Sequence, residues 1–476
     1  MASTKSFLQL GVASNLLATL TELGYEKPTP IQMQSIPALL SGHDIIAQAQ
    51  TGTGKTAAFA LAILTQLDLN KLKPQALILT PTRELAIQVA EAFQSYAKHL
   101  PNFHVIPIYG GQSYTIQLKA LKRGAQVVIG TPGRIMDHLR RKTLITSALK
   151  TLVIDEADEM LKMGFIDDVD WILEQISQQH QIALFSATMP LPIQKIAQKY
   201  LHNPLTIQIQ SNTKTVAAIQ QFYTLVSNQY KLEALTRFLE IEDFEAALIF
   251  VRTKLETINL AEKLGARGYH VMALNGDIKQ SERERIITKL KNGQLDLVVA
   301  TDVAARGIDI ERMSYVINYD LPSDSESYIH RIGRTGRAGR EGKALLFISP
   351  REIQSLKYIE RSIGQQITEI KPPSANNITE KRIQQLMEKI IAVINKGELE
   401  PYYFSVEQIM KQYNYNALDI AAALSYLTQQ KNPIQIEEKS FIDKNEHLPS
   451  TNKKNHSKNK SRPRKFTRKK FNKNSN

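Results

Sequence analysis

The sequence predicts an α/β protein with two tandem parallel-sheet domains, followed by a small helical domain and a disordered basic tail. Short apolar runs alternate with segments of helical period at residues 1–207 and again at 219–368. These runs are continuously apolar, which is typical of parallel strands covered on both faces by helices. Beyond residue 371 the strand pattern stops, and from about residue 431 too few apolar residues remain to form a core.

The individual elements follow from the same patterns. The polar residues 208–218 between the two domains are typical of an exposed linker. Apolar residues at three- and four-residue spacing predict helices at 379–395 and 405–427, within a helical segment at 372–430. Strands are predicted at residues 45–47, 76–79, 127–129, 152–154 and 182–185 of the first domain, and at 247–251, 297–299, 315–317 and 344–348 of the second.

The positive charge of the chain is concentrated near its end. Lys and Arg outnumber Asp and Glu by 60 to 46, yet residues 451–476 alone hold eleven Lys or Arg and no acid. Without this segment the chain has 49 basic and 46 acidic residues, so its body is nearly neutral. A basic arm of this kind suits a phosphate backbone or an anionic membrane surface. The alternative is a solvated tail that only aids solubility.

Two features that the sequence lacks limit the possible reaction chemistry and the expected cellular location of the protein. The 476 residues contain no cysteine, which excludes disulfides, thiolate nucleophiles and cysteine-ligated metal centres. No secretory signal is visible at the amino terminus, and no apolar run approaches the roughly 18 residues that span a bilayer. We therefore expect a cytoplasmic protein with no membrane partner.

Residues 49–56, Ala-Gln-Thr-Gly-Thr-Gly-Lys-Thr, lie between a predicted strand and a helical segment. This context is typical of a phosphate-binding loop, because glycines let backbone N–H groups face the phosphates and the helix N-terminus favours negative charge. Lys55 is expected to reach the β- and γ-phosphates, and the Thr56 hydroxyl to join the Mg²⁺ shell. The strict motif has glycine where this chain has Ala49. The residues expected to bind the nucleotide here are Gln50, Thr51, Gly52, Thr53, Gly54, Lys55 and Thr56.

A pair of acids, Asp155 and Glu156, ends the predicted strand at 152–154. In a nucleotide hydrolase the first acid would hold Mg²⁺ through its water shell, and the second would orient and deprotonate the attacking water. Adjacent acids are common on solvated helix faces, but here they follow an apolar strand. Together with Lys55 they predict a catalytic site for nucleotide hydrolysis.

The tetrapeptide Asp155-Glu156-Ala157-Asp158 and the motifs around it resemble those of the DEAD-box family of RNA helicases. The resemblance covers roughly residues 7–350, in the family's order and spacing. It implies two RecA-like domains, ATP and Mg²⁺ as the cofactors, and RNA as the partner. The RNA would be a single strand or a short duplex, bound without preference for sequence.

An adenine-recognition motif is part of this resemblance. Residues 24–32 read Gly-Tyr-Glu-Lys-Pro-Thr-Pro-Ile-Gln, with the isolated Phe7 upstream. By similarity to the family, the Gln32 amide would pair with the edge of adenine and Tyr25 would stack on the base, which implies ATP over GTP. The alternative for Phe7 and Tyr25 is plain core packing.

Loops after the predicted strands of both domains match the family's RNA contacts. Arginines, hydroxyls and glycine amides in these loops can bind sugar and phosphate without reading base identity. In the first domain the resemblance implies RNA binding by Pro81, Thr82, Arg83, Gly110, Gly111, Thr131, Pro132, Gly133 and Arg134. In the second domain it implies RNA binding by Arg252, Thr253, Gln280, Arg283, Thr301 and Asp302.

The second domain has no phosphate loop, so its motifs are expected to complete the site of the first. By similarity to the family, Arg334 and Arg337 are catalytic arginine fingers that reach the γ-phosphate, a task suited to an always-charged guanidinium. Asp309 would help to position the ribose or the fingers. The alternative is that this glycine- and arginine-rich stretch is a flexible basic loop for RNA. The residues implied to couple ATP chemistry to strand opening are Asp158, Ser186, Thr188, His330 and Arg331.

The segment 372–430 resembles the dimerisation region of bacterial cold-shock DEAD-box helicases, which implies a homodimer. The whole resemblance implies an enzyme that unwinds short RNA duplexes and remodels RNA or ribonucleoprotein. Its setting would be ribosome assembly, on ribosomal precursors, or RNA turnover, and low temperature. Residues 431–476 are expected to form a disordered RNA-binding tail. Two other functions stay open, a DNA helicase of related architecture and an RNA-clamping or annealing protein in which hydrolysis is incidental.

Overall fold

The structure is a computed structural model that describes residues 6–50, 52–176, 180–209, 219–308, 310–336, 340–429 and 433–443. Three of the predicted site residues, Thr51, Asp309 and Arg337, lie outside these ranges. Most of the predicted linker and the tail from residue 444 also lie outside them. Among the described residues, no helix has both the length and the apolar character needed to cross a membrane.

The first domain is a parallel sheet of seven strands with helices on both faces. Its strands run in the order β3-β4-β2-β5-β6-β1-β7. In every strand but the last, alternate residues enter two separate apolar clusters, one on each face of the sheet. The strands are β1 (Ile45–Gln48), β2 (Ala76–Leu79), β3 (Val105–Ile108), β4 (Val127–Gly130), β5 (Thr151–Ile154), β6 (Gln181–Ser186) and β7 (Leu205–Gln208). The helices are α1 (Ser14–Glu22), α2 (Pro30–Leu40), α3 (Lys55–Gln66), α4 (Arg83–Tyr96), α5 (Tyr114–Arg123), α6 (Pro132–Arg140), α7 (Ala157–Lys162), α8 (Ile166–Gln175) and α9 (Leu191–Tyr200).

The second domain repeats this architecture. Its seven parallel strands run in the order β10-β11-β9-β12-β13-β8-β14. They are β8 (Ile219–Leu225), β9 (Ala246–Phe250), β10 (Val271–Leu274), β11 (Leu297–Ala300), β12 (Met313–Asn318), β13 (Gly342–Ile348) and β14 (Thr368–Glu369). The helices are α10 (Lys231–Ile241), α11 (Lys254–Gly265), α12 (Gln280–Lys291), α13 (Asp302–Ala305), α14 (Ser325–Ile332) and α15 (Ile353–Ile363). The predicted fold class, with tandem RecA-like parallel-sheet domains, is confirmed.

The parallel strands decide where the functional loops lie. In a parallel sheet every loop that follows a strand emerges at the same edge, so residues far apart in sequence meet there. The phosphate loop follows β1, the acidic pair follows β5, and Ser186 ends β6. β1 pairs with β6 and β6 with β5, which places these three loops side by side.

The helical domain contains three helices, α16 (Ala375–Lys396), α17 (Glu400–Tyr413) and α18 (Ala417–Thr428). The prediction of one continuous helix at 405–427 is wrong. Asn414 adopts a left-handed conformation, φ 55°, and the Asn416 side chain accepts a hydrogen bond from the Asp419 N–H to begin the next helix. Asparagine tolerates this backbone and caps helices well, and periodicity alone does not reveal such a break.

Residues 433–443, called the strap below, pack on the second domain. Phe441 is buried in the core there, edge-on to Tyr230 and 4.8 Å from the Arg237 guanidinium. Its carbonyl accepts a hydrogen bond from the Ser227 N–H at 2.9 Å. The prediction of disorder from residue 431 is therefore wrong for the strap, because a single aromatic side chain in a polar segment finds an apolar site on another domain.

Candidate nucleotide and RNA site

The phosphate loop joins the end of β1 to the start of α3. Gly52 and Gly54 have φ of 80° and 90°, conformations that side chains rarely adopt, and Gly54 immediately precedes the first residue of the helix. The helix N-terminus therefore presents unpaired N–H groups towards the loop. Lys55 is buried, and its Nζ donates to the Ala49 carbonyl at 3.0 Å.

Gln32 connects the predicted adenine motif to the phosphate loop. Its Oε1 accepts from the Thr29 N–H at 2.9 Å, and its Nε2 donates to the Gly54 carbonyl at 3.2 Å. A Cβ on Gly54 would lie 2.5 Å from that Nε2, so the contact requires glycine. An amide has two donors and two lone pairs, so Gln32 keeps one of each for a base.

The two aromatic residues of the motif contact each other edge to face, and one lies deeper in the core than the other. Phe7 is buried in the first core cluster, with its ring 6.2 Å from that of Tyr25 at an interplanar angle of 71°. The Tyr25 hydroxyl lies 2.8 Å from that of Tyr96. Phe7 thus contributes as packing behind Tyr25, and Tyr25 is the half-buried member of the pair.

The acidic pair lies where β5 ends. Asp155 is buried, and burial raises the pKa of its carboxyl group, an effect that the Lys55 charge opposes and the Glu156 charge reinforces. Glu156 has φ 53° and ψ 51°, a left-handed conformation that costs energy for a residue with a Cβ. Such strain is found at functional sites, where it re-aims a side chain.

The residues of this pocket fit a nucleotide with Mg²⁺. Glycines with positive φ leave a backbone cradle that a Cβ would fill at Gly54. Beside it are a hydroxyl on Thr56 and a buried carboxylate on Asp155, which are oxygen donors of the kind that Mg²⁺ prefers. A bound divalent ion would keep Asp155 ionised despite its burial.

A hydrogen-bonded junction links the acidic tetrapeptide to the end of β6. Asp158 Oδ2 accepts from the Ala187 and Thr188 N–H groups at 3.1 and 2.9 Å, and from the Thr188 hydroxyl at 3.2 Å. Ser186 Oγ accepts from the Asp158 N–H at 3.2 Å and donates to the Thr188 carbonyl. The Thr188 hydroxyl also lies 3.5 Å from Glu326 of the second domain.

An ionic cluster joins the two domains directly beside this junction. Glu159 of the first domain is buried and contacts Arg306 and His330 of the second, the latter at 2.9 Å. Lys162 bridges Glu159 at 3.3 Å and Glu326 at 2.8 Å. Burial would raise the pKa of Glu159, but the hydrogen bond from His330 and the charges of Arg306 and Lys162 outweigh it and lower the pKa to about 2.

Sequence reasoning missed four of these residues, Glu159, Lys162, Arg306 and Glu326. Only His330 was predicted. Arg306 lies between two predicted site residues, Asp302 and Asp309, and Glu159 directly follows the tetrapeptide. The available signal was the charge of Glu159 next to a catalytic motif. Its partners Arg306 and His330 are more than 140 positions away in the chain, so the sequence does not reveal the pairing.

The arginines of the second domain have different surroundings. Arg331 is buried and binds the Asp302 carboxylate through two hydrogen bonds of 2.5 and 2.8 Å. Asp302 was predicted to contact RNA, but its carboxylate is paired with Arg331. Bidentate hydrogen bonds between arginine and a carboxylate are among the strongest in proteins. Arg334 donates to the carbonyls of Ile308 and His330 at 3.1 and 3.2 Å.

A groove of about 500 Å³ runs between the two domains. Of the predicted RNA-binding residues, it is lined by Pro81, Thr82, Arg83, Gly110, Thr131, Gly133, Arg134, Gln280 and Arg283. The structure does not bring Gly111, Pro132, Arg252, Thr253, Thr301 or Asp302 into its lining. Thr253 and Thr82 each accept a backbone N–H and begin a helix, so both hydroxyls act as helix caps.

Three of the predicted RNA-binding residues in the groove lining, Arg83, Gln280 and Arg283, also form bonds between the two domains. Arg283 binds Glu84 of the first domain and donates to the Ala304 carbonyl at 2.6 Å. Arg83 donates to Gln280 Oε1 at 2.9 Å. The Arg283 guanidinium is nearly buried, so it holds the domains together and contributes charge to the groove only at its edge. Glu84 was missed by sequence reasoning.

A sheet with a phosphate loop, an acidic pair beside it, and a second sheet of the same fold without the loop together define the class of tandem RecA-like nucleotide-dependent motors. Residues 29–196 match the DEAD/DEAH box helicase family, 230–339 the helicase conserved C-terminal domain, and 373–439 the RNA helicase DeaD dimerization domain. The chain belongs to the DEAD-box family of ATP-dependent RNA helicases.

Relatives cover most of the chain. It is 50% identical over 424 residues to the ATP-dependent RNA helicase DeaD of Mycobacterium tuberculosis, covering 89% of this chain and 75% of that protein. It is 49% identical over 427 residues to DeaD of Escherichia coli K12, covering 89% and 68%. Among solved structures, S. cerevisiae Dbp5 bound to RNA and ADP BeF3 is similar, with a TM-score of 0.71, 35% identity, and 81% of this chain and 99% of that chain covered.

Proposed function

We propose that this protein hydrolyses ATP in a pocket shared by both domains and uses domain closure to separate short RNA duplexes and remodel RNA or ribonucleoprotein. The observation that carries the proposal is the ionic cluster at Glu159. It connects the residue after the acidic tetrapeptide to His330 and Arg306 of the other domain. A conformational change at the hydrolytic site therefore has only a few residues to cross before it reaches the domain interface.

In this mechanism the first domain holds the substrate ATP. Lys55 exchanges its bond with the Ala49 carbonyl for the β- and γ-phosphates, and Gln32 and Tyr25 bind the adenine. Thr56 and Asp155 would hold Mg²⁺, which neutralises charge on the phosphate oxygens when it is bound. Glu156 orients the attacking water and accepts its proton.

The second domain completes the pocket with arginines. Arg334 is near the interface cluster, since its Nε donates to the His330 carbonyl. We propose that Arg334 and Arg337 reach the γ-phosphate and stabilise the charge that develops during hydrolysis, with Asp309 positioning the fingers or the ribose. Asp158, Ser186, Thr188 and His330 would transmit loss of the γ-phosphate to the interface, while Arg331 would hold the arginine segment through Asp302.

The groove between the domains is the proposed RNA site. Arg83 and Arg134 line it beside the backbone of Gly110 and Gly133, which suits sugar and phosphate rather than base edges. Closure would align both walls of the groove along one strand. A strand bent to fit would lose its partner, and phosphate release would then reopen the groove.

A comparison of nucleic acids and nucleotides tests this function. ATP hydrolysis should be stimulated by an oligoribonucleotide far more than by an oligodeoxyribonucleotide of the same sequence. A short RNA duplex should separate with ATP and not with GTP, because Gln32 matches adenine. Equal stimulation by DNA would favour the DNA-helicase alternative. Duplex annealing that is unaffected by loss of hydrolysis would favour the RNA-clamping alternative.

We propose that the helical domain forms a homodimer. On α16, five large apolar side chains that are at least 41% exposed share one face at three- and four-residue spacing. They are Ile383, Met387, Ile390, Ile391 and Ile394. A continuous exposed apolar face of this kind marks an interface, and the match to a dimerization domain covers this helix.

Replacing Ile390 by aspartate should convert the dimer to a monomer, because a charge would be buried in the interface. The matched control is Gln385→Asp, which adds the same charge on the opposite face of α16. Light scattering after gel filtration measures the mass. A monomer for the unchanged protein, or equal masses for all three proteins, would contradict the proposed dimer.

We propose that the basic tail adds affinity for RNA that depends on salt. The tail lies outside the described residues, and the proposal depends on its eleven Lys and Arg in residues 451–476. Deleting these residues should raise the RNA concentration for half-maximal ATPase and flatten its dependence on salt, because fewer counterions are released. No change at low salt would leave the tail as a solubility segment.

The biological setting stays a prediction. We propose a cytoplasmic role on RNA such as ribosomal precursors, in ribosome assembly or RNA turnover, including at low temperature. The sugar and phosphate contacts proposed for the groove carry no sequence information, so they would not select one RNA. Crosslinking in cells followed by sequencing of the bound RNA would identify the substrate, and an absence of ribosomal precursors from that RNA would contradict this part of the proposal.

A further inference from the structure

A buried hydrogen-bond network lies behind one wall of the RNA groove. Its centre is Gln117 of α5, which is 1% exposed and has all the hydrogen-bond partners that its amide can use at this site. Its Nε2 donates to the Tyr109 carbonyl at 2.8 Å and to Gln112 Oε1 at 3.0 Å. Its Oε1 accepts from Arg134 Nη1 at 2.9 Å and lies 3.1 Å from His138 Nε2.

The protonation of His138 follows from its partners. Gln117 Oε1 is an acceptor, so His138 Nε2 must carry the proton that it donates there. On the other side Nδ1 lies 2.8 Å from the Thr143 hydroxyl, which itself lies 3.2 Å from the Tyr114 hydroxyl. In the neutral imidazole Nδ1 accepts from the Thr143 hydroxyl, for which the His138 carbonyl at 3.1 Å is another acceptor within reach.

Burial and the neighbouring charge agree with a neutral imidazole. His138 is fully buried, and burial, with a smaller contribution from Arg134, lowers its pKa to about 4. The imidazole ring stacks on the Tyr114 ring at 4.5 Å with an interplanar angle of 10°. The Arg141 guanidinium also contacts Tyr114, 4.6 Å from the centre of its ring. The ring stack and the bond to Gln117 Oε1 hold the imidazole in place, with Nε2 as the donor.

The network ends at Arg134, whose side chain lines the groove. Besides Gln117 Oε1, its Nη1 donates to the Gln112 carbonyl at 3.3 Å, and its Nε lies 3.9 Å from Asp137. The Arg134 side chain is only 16% exposed. The guanidinium is thus held by the Gln117 and Gln112 oxygens, and Arg134 is at the same time part of the groove lining. His138 and Gln117 line no part of the groove themselves.

We infer that Gln117 and His138 are positioning residues that fix the Arg134 guanidinium for contact with an RNA phosphate. This inference rests on the proposed function, in which Arg134 binds RNA. Fixing the guanidinium in advance removes the side-chain entropy that RNA binding would otherwise have to overcome. The effect of the network is therefore on RNA affinity, and it acts through Arg134 alone.

The test uses the full chain and a single-stranded oligoribonucleotide. His138→Phe keeps the stack on Tyr114 but removes the Nε2 donor, and Gln117→Met removes the acceptor for Arg134. Each should raise the RNA concentration for half-maximal ATPase by about 3- to 10-fold, the effect of one lost hydrogen bond. The rate at saturating RNA should fall much less than this concentration rises. Thermal unfolding of each variant shows whether the fold is retained.

A double-mutant cycle with Arg134→Ala decides the outcome. If His138 acts through Arg134, His138→Phe should change half-saturation by less than about 2-fold when Arg134 is already alanine, within the usual error of such cycles. A full effect of His138→Phe in that background would overturn the inference in favour of a general structural role. An effect of Arg134→Ala with none from either network variant would also overturn it, leaving the proposed function intact. No effect of Arg134→Ala would overturn the proposed RNA contact itself, and this inference with it.

Discussion

The Glu156→Gln variant is expected to hydrolyse ATP about 10²- to 10⁴-fold more slowly than the unchanged protein, the usual effect of a lost general base. Glutamine keeps the size and the hydrogen-bonding oxygen of glutamate but accepts no proton from water. Glutamine can adopt the left-handed backbone conformation of Glu156, φ 53°, at the same cost as glutamate, so the replacement leaves the geometry of the pocket in place.

The same variant should bind RNA more tightly in the presence of ATP. Because hydrolysis is what reopens the groove in the proposed mechanism, a protein that binds ATP without cleaving it stays closed on RNA. Release of a labelled oligoribonucleotide after dilution measures this directly. Lys55→Ala is the contrasting variant, since it should lose nucleotide binding and show no ATP-dependent slowing of release.

The result that would contradict the assignment is normal RNA-stimulated turnover in Glu156→Gln. Loss of turnover with rapid RNA release would support Glu156 as the base but contradict the proposal that intact ATP keeps the groove closed on RNA. In that case Glu156 would be the base, but an intact γ-phosphate would not be sufficient to keep the groove closed. The ionic cluster at Glu159 and the bound ATP together would then be too weak to hold the domains closed on RNA.

The sequence predicted the parts of the site that are local in the chain. Asp155 directly follows an apolar strand, and Lys55 follows another after a short loop. Their position at the edge of the sheet could therefore be inferred from the sequence pattern alone. Family resemblance added Gln32 and His330, whose roles have no local signal. The structure places the loops after β1, β5 and β6 side by side and His330 against Glu159, and the roles of these residues stay predictions.

The residues that were missed are those whose partners lie in the other domain. Glu84 and Glu159 look like ordinary helical acids in the sequence, and only the assembled structure pairs them with Arg283 and Arg306. Phe441 is a similar case, since an isolated aromatic residue in a polar segment has no periodicity. Contacts between distant segments depend on how domains meet, which hydrophobic periodicity does not encode.

The second large effect is expected at Gly307, where the second domain touches α4 of the first. Its φ is 71°, and its carbonyl accepts a hydrogen bond from Gln88. A Cβ at this position would lie 2.7 Å from Thr82 Oγ1, 2.9 Å from Glu84 Cβ and 3.0 Å from the Leu85 nitrogen. Thr82 caps α4 and the Leu85 nitrogen is backbone, so neither can move without disturbing the helix.

We take the domain arrangement of this structure, in which Gly307 lies against α4, as the closed form, and Gly307→Ala should therefore act against this form specifically. Overpacking of this kind costs about 1–3 kcal/mol. If the cost falls on the closed form alone, the closing equilibrium drops by about 5- to 150-fold, and RNA-stimulated ATPase at subsaturating RNA drops with it. The energy of placing a Cβ at positive φ is present in the open form as well, so it does not contribute to this difference.

Gly364→Ala separates the two costs. Gly364 ends α15 of the same domain with φ 68°, nearly the same backbone conformation, but no atom lies within 4 Å of the position of its Cβ. This control should lower the unfolding temperature of the second domain to a similar degree while leaving RNA-stimulated ATPase close to that of the unchanged protein. If both variants lose activity equally, the loss comes from backbone strain. If neither variant loses activity, Gly307 does not approach α4 in the form that hydrolyses ATP, and the domain arrangement of this structure is not that form.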